Sequence, residues 1–387
     1  MIINILQKMN KSGLIALLVF ISLQLFSQDD PYLLEEIKTG EEANAVCYFP
    51  DGKKIIVGLL DGTVEIIELE KGKTELSFNE HWKGIMDVDV DPKGKFFVTA
   101  GDNTIKVWDL EGNEINRMPE HTTTIYSIDI DPSGKHLVSG AINKIFNFWN
   151  LKTGELIHYM KGHTDVAMAV CFSNDGEKIA SGSGDNTIRL WETGTNKEIQ
   201  KLDAHFKDIY DVEFSHDGKY LASCSKDKTI RIYDLEKGEL FKTLTGHRNF
   251  VMDIEFSPDD LHLISCSFDQ EVRIWEIPTG KSLYSFIDHK AEVIDLCFAP
   301  DGKSFASASH DKTIKIWDFN PEIFVDFYYR DEIVEEMDED EIFLPRQDDE
   351  SRKDFKLREE KAVEKKKQIY QRYYERYLEE LKKGILE

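Results

Sequence analysis

The chain has 387 residues, of which 41% are hydrophobic and 31% charged. This is the composition of a globular protein, and it excludes a collagen-like, mucin-like or wholly disordered chain. Lys and Arg total 48 against 73 Asp and Glu, a net charge of −25. A surface with that balance repels phosphate backbones, so we expect no nucleic-acid partner.

The first 28 residues have the pattern of a secretory signal peptide. Lys8 and Lys11 precede an apolar run from Leu14 to Phe26, and the small residue Ser27 follows it. This order of cation, short apolar run and small residue is typical of an export signal. A short membrane anchor or a buried helix is the alternative, although the run is shorter than the roughly 20 residues that span a bilayer. We expect cleavage near Ser27, a periplasmic, envelope or extracellular protein, and no membrane contact beyond the export signal.

One pattern then recurs seven times. Each copy contains a strand-like segment such as DNTIKVWDL or DKTIRIYDL, whose anchor recurs at intervals of 41 or 42 residues, at Ile67, Trp108, Trp149, Trp191, Tyr233, Trp275 and Trp317. A histidine keeps nearly the same interval, at His81, His121, His163, His205, His247 and His289. Turns such as PDG at 50–52 separate runs that alternate between apolar and polar residues. Each copy therefore predicts several short antiparallel strands.

A single sheet of about 40 residues cannot bury both of its faces, so successive sheets must stack on one another. The copies resemble the repeats of the WD40 family, with Gly162-His163 near the start of a copy and Trp317-Asp318 at its end. The resemblance covers residues 32–319. It implies an all-β fold, a seven-bladed β-propeller over residues 29–319, followed by an α-helical extension.

The ring of blades has to close, because open ends would leave two unpaired sheet edges. Residues 32–40 precede the first complete repeat. In WD40 proteins such a leading strand completes the last blade, so the resemblance implies that Leu33–Ile37 pairs beside Thr313–Trp317. The first repeat is the least regular, with Thr39 and Gly40 in place of the histidine and Ile67 in place of tryptophan. We expect it to be the least stable blade.

Three residue types of a hydrolase triad recur within the repeats. The sets are His163, Ser181, Asp185 and Trp191; His247, Ser265, Asp269 and Trp275; and His289, Ser307, Asp311 and Trp317. Catalytic sites do not come in near-identical copies around a ring, whereas buried polar groups all need partners. The family resemblance implies a structural network. Tyr233 replaces the tryptophan beside His205, Ser223 and Asp227, while Thr99 and Asn143 depart from the pattern in the second and third repeats, where we expect weaker networks.

No catalytic or cofactor motif stands out: the sequence has no phosphate-binding loop, no H-E-x-x-H and no C-x-x-C. We therefore expect neither an enzyme nor a bound cofactor or metal. The five cysteines, an odd number, suggest no disulfide framework. They lie in apolar strand patterns as buried, inert thiols, which an oxidising compartment tolerates only if they stay out of reach of one another and of solvent.

Large apolar residues recur five positions after each repeat histidine. They are Met86, Tyr126, Met168, Tyr210, Met252 and Ile294, and the first repeat has Asn44 there. The resemblance places this position near the channel mouth, where Trp82, Phe206 and Phe250 extend the set. Met and Tyr are enriched at recognition surfaces. Either these residues bind a partner or they plug the channel; Lys226, Phe268 and His310 are weaker candidates on the same face.

The chain after Phe319 changes composition twice. Residues 331–350 hold 11 acidic residues and one basic residue, which predicts a solvated linker over residues 320–350. Residues 351–387 are rich in helix formers, with Val363, Tyr370, Tyr373, Tyr377 and Leu381 near one face. This amphipathic helix would dock on the propeller, on another chain or on a membrane surface, three alternatives that the sequence leaves open.

The sequence favours a non-catalytic scaffold that binds a peptide or protein at the propeller mouth. An exported hydrolase or lyase built on the propeller is one alternative, and a glycan-binding propeller is another. A fold does not imply a function by itself, and the identity of the partner is not encoded in these patterns.

Overall fold

The computed structural model describes residues 30–118, 123–346 and 350–386. The predicted signal peptide and His121 lie outside the described residues. Residues 32–319 form one compact unit, and the chain from Asn320 belongs to a second. The described part of the first unit contains seven four-stranded antiparallel sheets. The predicted seven-bladed propeller is confirmed.

Blades 1 to 3 each consist of four consecutive strands. Blade 1 comprises β2 (Ala43–Tyr48), β3 (Lys54–Leu59), β4 (Thr63–Glu68) and β5 (Lys73–Asn79). Blade 2 comprises β6 (Ile85–Val90), β7 (Phe97–Gly101), β8 (Thr104–Trp108) and β9 (Glu114–Met118). Blade 3 comprises β10 (Ile125–Ile130), β11 (His136–Ala141), β12 (Ile145–Asn150) and β13 (Leu156–Lys161).

Blades 4 to 6 repeat this arrangement. Blade 4 comprises β14 (Ala167–Phe172), β15 (Lys178–Ser183), β16 (Thr187–Glu192) and β17 (Lys197–Asp203). Blade 5 comprises β18 (Ile209–Phe214), β19 (Tyr220–Ser225), β20 (Thr229–Asp234) and β21 (Glu239–Thr245). Blade 6 comprises β22 (Val251–Phe256), β23 (His262–Ser267), β24 (Val272–Glu276) and β25 (Ser282–Phe286).

Blade 7 is built from both ends of the propeller. Its strands β26 (Val293–Phe298), β27 (Ser304–Ser309) and β28 (Thr313–Asp318) are followed in the sheet by β1 (Leu33–Lys38) from the start of the described chain. Leu33 lies opposite Trp317 and Ile37 opposite Ile314. The predicted closure of the ring is therefore confirmed, because β1 pairs with the strand that would otherwise be an unpaired sheet edge.

Apolar residues of neighbouring blades share each core cluster. One cluster joins Ile56 and Val64 of blade 1 to Ile85, Val88 and Phe97 of blade 2. Another joins Ile37, Ile314 and Ile316 of blade 7 to Val46 and Ile67 of blade 1. The stacked sheets thus bury one another's apolar faces, as the repeat pattern requires, and the first strand of each blade lies innermost, against the first strands of both neighbours.

Two helices follow the propeller. Helix α1 spans Glu322–Asp338 and helix α2 spans Arg352–Lys382, with a single 3₁₀ turn at Glu341–Phe343 between them. The expectation of a solvated linker over residues 320–350 was wrong for α1, which buries Ile323, Phe324, Val325, Tyr329 and Ile333.

Ion pairs join acidic side chains at the start of the chain's second unit to cations of α2. Arg376 pairs with Glu332 at 2.6 Å and Lys366 with Glu322 at 3.1 Å, while Arg372 pairs with Glu336 and Lys365 with Asp340. The helix predicted for residues 351–387 is present. Its Tyr377, Leu381 and Ile369 are buried, whereas Val363, which we had placed on the packed face, is 58% exposed.

Within the described residues no helix is both long and apolar enough to cross a membrane.

Candidate functional site at the channel mouth

Each innermost strand carries a β-bulge at its second residue. In blade 2, for example, the pairing with β7 slips between Ile85 and Asp87. The residues at these slips are Asn44, Met86, Tyr126, Met168, Tyr210, Met252 and Ile294. A bulge leaves its extra residue out of the hydrogen-bonded ladder and re-aims its side chain. The six large residues that the sequence singled out therefore share one unusual backbone position, and we call them the rim residues.

The rim residues are all half-buried. Each is therefore held by packing yet offers part of its surface to solvent. Blade 1 differs, because Asn44 is buried and its amide donates hydrogen bonds to the carbonyl oxygens of Ile85 and Met86, at 3.0 and 3.3 Å. The set consequently spans blades 2 to 7 and is interrupted at blade 1.

The loops just before the innermost strands add exposed aromatic side chains. Trp82 is 73% exposed and Phe206 is 82% exposed, which is unusual for rings of this size. A cation lies against each ring, with Lys83 Nζ 4.6 Å from the Trp82 centroid and the Arg231 guanidinium 5.1 Å from that of Phe206. Apolar contact area and positive charge therefore occur together at both loops.

Blades 5 and 6 bring three aromatic rings together, and we call Tyr210, Phe250 and Phe268 the aromatic cluster. Phe250 lies 6.2 Å from Tyr210 and 5.7 Å from Phe268, measured between ring centroids. Lys226 Nζ lies 5.8 Å from the Phe250 centroid and pairs with Asp208 at 2.8 Å. Phe268 and Lys226, which ranked lower in the sequence analysis, thus adjoin the predicted residues.

The electrostatics connect rim residues two blades apart. Burial raises the pKa of the Tyr210 phenol, the Lys226 ammonium opposes that shift, and Tyr126 of blade 3 adds to it. The two phenols thus interact electrostatically, although they belong to blades 3 and 5.

Eight carboxyl groups of the innermost strands, which we call the channel carboxyls, were not predicted from the sequence. They are Asp87, Asp89, Asp129, Asp211, Glu213, Asp253, Glu255 and Asp295. Six of them follow the rim residue in the pattern D-V-D, D-V-E or D-I-E, while Asp129 and Asp295 lie in S-I-D and D-L-C. Burial raises the pKa of each of them, to about 7 for Asp89 and to about 8 for Asp211.

The channel carboxyls bridge neighbouring blades. Asp87 accepts a hydrogen bond from the backbone amide of Ile128 at 2.7 Å, and Glu213 accepts one from that of Phe256, also at 2.7 Å. Equivalent bonds join Asp89 to Ile130, Asp129 to Phe172, Asp253 to Leu296, Glu255 to Phe298 and Asp295 to Val46. Because these oxygens accept hydrogen bonds from backbone amides of the next blade, the carboxyls act as structural bridges between blades. Among the described residues, no group of three His, Cys, Asp or Glu side chains could hold a metal ion.

The triad-like sets form the networks that the resemblance implied. In blade 6 the Trp275 indole donates to Ser265 Oγ at 2.8 Å, Ser265 lies 2.7 Å from His247 Nε2, and His247 Nδ1 lies 3.0 Å from Asp269. The same distances, within 0.2 Å, join His163, Ser181, Asp185 and Trp191 in blade 4 and His289, Ser307, Asp311 and Trp317 in blade 7. We assign the hydrogen of each neutral imidazole to Nδ1, which then donates to the carboxylate.

These networks anchor loops rather than expose a nucleophile. Burial favours the neutral form of Asp269, but hydrogen bonds from His247 and from the Arg248 amide outweigh it and lower its pKa to about 2. The serines Ser181, Ser265 and Ser307 are fully buried. A hydroxyl that is enclosed and already hydrogen-bonded has no access to a substrate, so the arrangement is structural.

Three networks depart from the pattern. In blade 5 the Tyr233 hydroxyl bonds to the Ala204 carbonyl at 3.2 Å, so Ser223 has no indole partner and bonds to His205 at 2.9 Å. In blade 2 His81 bonds to Thr99 at 2.8 Å, but its Nδ1 lies 3.5 Å from Asp102 and makes no hydrogen bond.

In blade 3 the Trp149 indole donates to Ser139 at 2.8 Å. Asn143 stands where the aspartate would be, and its side chain accepts a hydrogen bond from the Ile145 amide at 3.3 Å. The network is therefore incomplete in three blades: His81 makes no hydrogen bond to Asp102 in blade 2, Asn143 replaces the aspartate in blade 3, and Tyr233 replaces the tryptophan in blade 5.

The family model described as WD domain, G-beta repeat, matches six segments of the chain, residues 72–109, 112–150, 154–192, 196–234, 238–276 and 280–318. Together they cover more than half of the chain. Strands β2 to β4 of blade 1 fall outside the matched segments, in keeping with the missing histidine and tryptophan of that repeat.

Proposed function

Because the chain belongs to the WD40 family, whose propellers are generally non-catalytic scaffolds that bind proteins or peptides, we propose that this protein binds a peptide or protein segment at its channel mouth. The rim residues and the loop aromatics Trp82, Phe206 and Phe250 form the binding surface. The protein supplies contact area and orientation, and no bond is made or broken.

The observation that carries this proposal is the bulge at every rim position. Simple strand alternation would turn Met86 to the same side as Val88, into the space between the sheets. The bulge instead leaves Met86 and Asp87 both half-buried, beside a buried Ile85. Placing a large apolar side chain at such a position exposes it to water at a cost, which contact with a partner offsets.

The chemistry of the surface indicates what a partner segment would offer. Met and Tyr side chains adapt to different apolar shapes, and Tyr adds a hydroxyl for hydrogen bonding. Lys83 and Arg231 lie against the two most exposed rings. A segment with an apolar or aromatic anchor beside an acidic residue matches both properties.

We extend the proposal to location: the protein acts after export, since residues 1–28 have the pattern of a signal peptide. Fractionation of the native cells, with mass spectrometry of the mature amino terminus, tests this part. We expect a periplasmic, envelope or extracellular protein that begins near residue 28. A full-length chain retained in the cytosol would refute the proposed location but would not bear on the proposed binding surface.

Partner binding is tested with matched variants. The mature protein is used to capture partners from the native envelope or medium, and affinity for the captured protein is then measured. The rim variant carries Tyr126→Ser, Tyr210→Ser and Met252→Ser. The control carries Ile115→Ser, Ile157→Ser and Ile199→Ser, three residues of the outer strands that are 56%, 45% and 51% exposed. Both variants exchange three large apolar surfaces for serine.

We expect the rim variant to bind at least about tenfold more weakly, since central aromatic contacts dominate interface energies, and the control to bind as the wild type does. Both should keep the wild-type circular-dichroism spectrum. Equal binding by the rim variant, or equal loss in the control, would refute the site. Competition by a simple oligosaccharide would instead favour the glycan-binding alternative.

A further inference from the structure

Two of the five cysteines meet where the ring closes. Cys47 lies in β2 of blade 1 and Cys297 in β26 of blade 7, and interaction with the Cys47 side chain raises the pKa of the Cys297 thiol. Cys297 Sγ also accepts the backbone amide hydrogen of Tyr48, at 3.2 Å. The expectation that the cysteines stay out of reach of one another was therefore wrong for this pair.

At one level of the channel, the junction between blades 7 and 1 has a sulfur acceptor where four other junctions have a carboxylate. At the same level of the channel, Asp89, Asp129, Glu213 and Glu255 each accept a backbone amide of the next blade, at 2.5–2.7 Å. At the closing junction the acceptor is the sulfur of Cys297. A neutral thiol is a weaker acceptor than a carboxylate. Sulfur thus replaces a strong bridge at the one junction that is also closed by a strand from the other end of the propeller.

We propose that Cys47 and Cys297 form an intramolecular disulfide that covalently closes the propeller when the chain folds in an oxidising compartment. The two thiols lose two protons and two electrons. A small-molecule disulfide such as oxidised glutathione accepts them and leaves as two thiols, so one S–S bond forms for each that breaks. This cross-link is independent of any partner at the channel mouth.

The thiol–disulfide exchange takes place during folding. In the closed ring the pKa of each thiol is raised, which disfavours the reactive thiolate. Interaction with Cys47 and burial raise the pKa of Cys297, whereas at Cys47 the opposite effect of Cys297 is outweighed by burial and nearby carboxyls. Before β1 pairs with β28 the ends of the ring are free and the thiols are open to solvent. Bond formation then draws the sulfurs to about 2.05 Å, and the two innermost strands approach each other.

The other cysteines serve as internal controls. Cys171 lies at the same level in blade 4, where its sulfur accepts the backbone amide of Phe214, and burial and the carboxyls Asp129, Asp211 and Glu213 raise the pKa of its thiol. Cys224 and Cys266 lie in the second strands of blades 5 and 6, where Cys224 Sγ donates to the Val251 carbonyl at 3.3 Å. Burial and, to a smaller extent, Cys224 raise the pKa of the Cys266 thiol, so the linked peptides must distinguish this second pair from Cys47 and Cys297.

The test begins with the wild-type mature protein. It is reduced, unfolded and refolded in a mixture of reduced and oxidised glutathione, after which free thiols are alkylated under denaturing conditions. We expect three of the five cysteines to be alkylated and proteolysis to yield one linked peptide pair that contains Cys47 and Cys297. Five alkylated cysteines, or linkage of Cys224 to Cys266 instead, would overturn the proposal.

Stability supplies a second readout. Reduction of the refolded wild type should lower its Tm by at least about 5 °C, because the disulfide constrains the unfolded chain over a long loop. Cys171→Ala should show the same drop on reduction, whereas Cys47→Ala and Cys297→Ala should show none. A drop of equal size in Cys47→Ala would contradict the assignment. The wild-type alkylation result stands even where a variant folds poorly.

Discussion

Asp211 and Asp253, in the innermost strands of neighbouring blades, hydrogen-bond to each other through their carboxyl groups. Such a bond requires a proton on one of the two, since two carboxylates can only accept. Asp253 is joined in the same way to Asp295 of blade 7. Three successive blades are therefore linked through these carboxyl groups, and because burial raises the pKa of each, the stability of the ring depends on pH.

The first prediction is that the protein becomes less stable as pH rises from about 4 to about 8. Burial raises the folded-state pKa of Asp89 to about 7 and of Asp211 to about 8. Over this interval the native state holds protons that the unfolded chain releases, so the free energy of unfolding falls as pH rises. We expect urea unfolding to give at least about 2 kcal/mol more stability at pH 5.5 than at pH 8.5.

Asp211→Asn isolates the cause of this pH dependence. The variant keeps the shape of the side chain and cannot ionise, so the loss of stability between pH 5.5 and pH 8.5 should shrink by about 1–3 kcal/mol. Asp203→Asn, at a side chain that is 89% exposed, should titrate as the wild type does. A wild type that gains stability with pH, or an unchanged slope in Asp211→Asn, would contradict the account. Asp269, whose pKa is lowered to about 2, changes its protonation state below this pH interval.

The second prediction compares one substitution in two blades. Ser265→Ala in blade 6 leaves both His247 Nε2 and the Trp275 indole without a partner. Ser223→Ala in blade 5 leaves only His205, because Tyr233 bonds elsewhere. We expect Ser265→Ala to be the more destabilising by about 1–3 kcal/mol, the cost of one more buried unsatisfied donor.

Chemical denaturation of the two variants measures this difference. Ser181→Ala in blade 4, whose network is complete, should behave like Ser265→Ala. Equal losses in blades 5 and 6 would show that the indole bond adds nothing to stability.

The third prediction concerns the strand that closes the ring. Ile37 of β1 is 7% exposed and packs in the cluster of blades 7 and 1, while Leu34 of the same strand is 59% exposed. Ile37→Ala should destabilise the propeller by about 2–4 kcal/mol, since it removes buried methyl groups and leaves a cavity. Leu34→Ala should cost less than about 0.5 kcal/mol.

Thermal and urea unfolding of both variants provide the measurement. If Ile37→Ala were as harmless as Leu34→Ala, β1 would not contribute to the closure of the ring in solution.

The fourth prediction is that blade 1 opens first. It has no His–Ser–Asp–Trp network, and Ile67 occupies the tryptophan position with apolar contacts only. Regions with fewer buried hydrogen bonds open at lower free energy. Native-state hydrogen exchange should therefore show weaker protection in β3 and β4 than in β23 and β24 of blade 6. Uniform protection around the ring would contradict this.

The architecture was predictable because a period of 41 or 42 residues survives in the sequence, and ring closure follows from the cost of open edges. The rim positions came from the same periodicity. The bulge behind them did not, since alternation along IMDVDV does not show where one extra residue enters the strand. The channel carboxyls were missed for the same reason: the bulge decides which side chains face the channel.

Two further errors arose from partners distant in sequence. Glu322, Glu332 and Glu336 looked solvated when residues 320–350 were considered alone, yet Lys366, Arg376 and Arg372 of α2 neutralise them. Cys47 and Cys297 became neighbours only because the ring closes. Sequence periodicity therefore predicted the features that every repeat shares. It did not predict contacts between segments that are distant in the sequence.

The claim that the channel mouth is the recognition surface is tested most directly by a hydrogen-exchange footprint of the propeller with and without its captured partner. The account predicts new protection at residues 80–86, 204–210 and 246–252, which hold the exposed aromatics and the rim residues. Protection confined to the turns of the opposite face, at residues 50–52, 174–176 and 300–302, would contradict it.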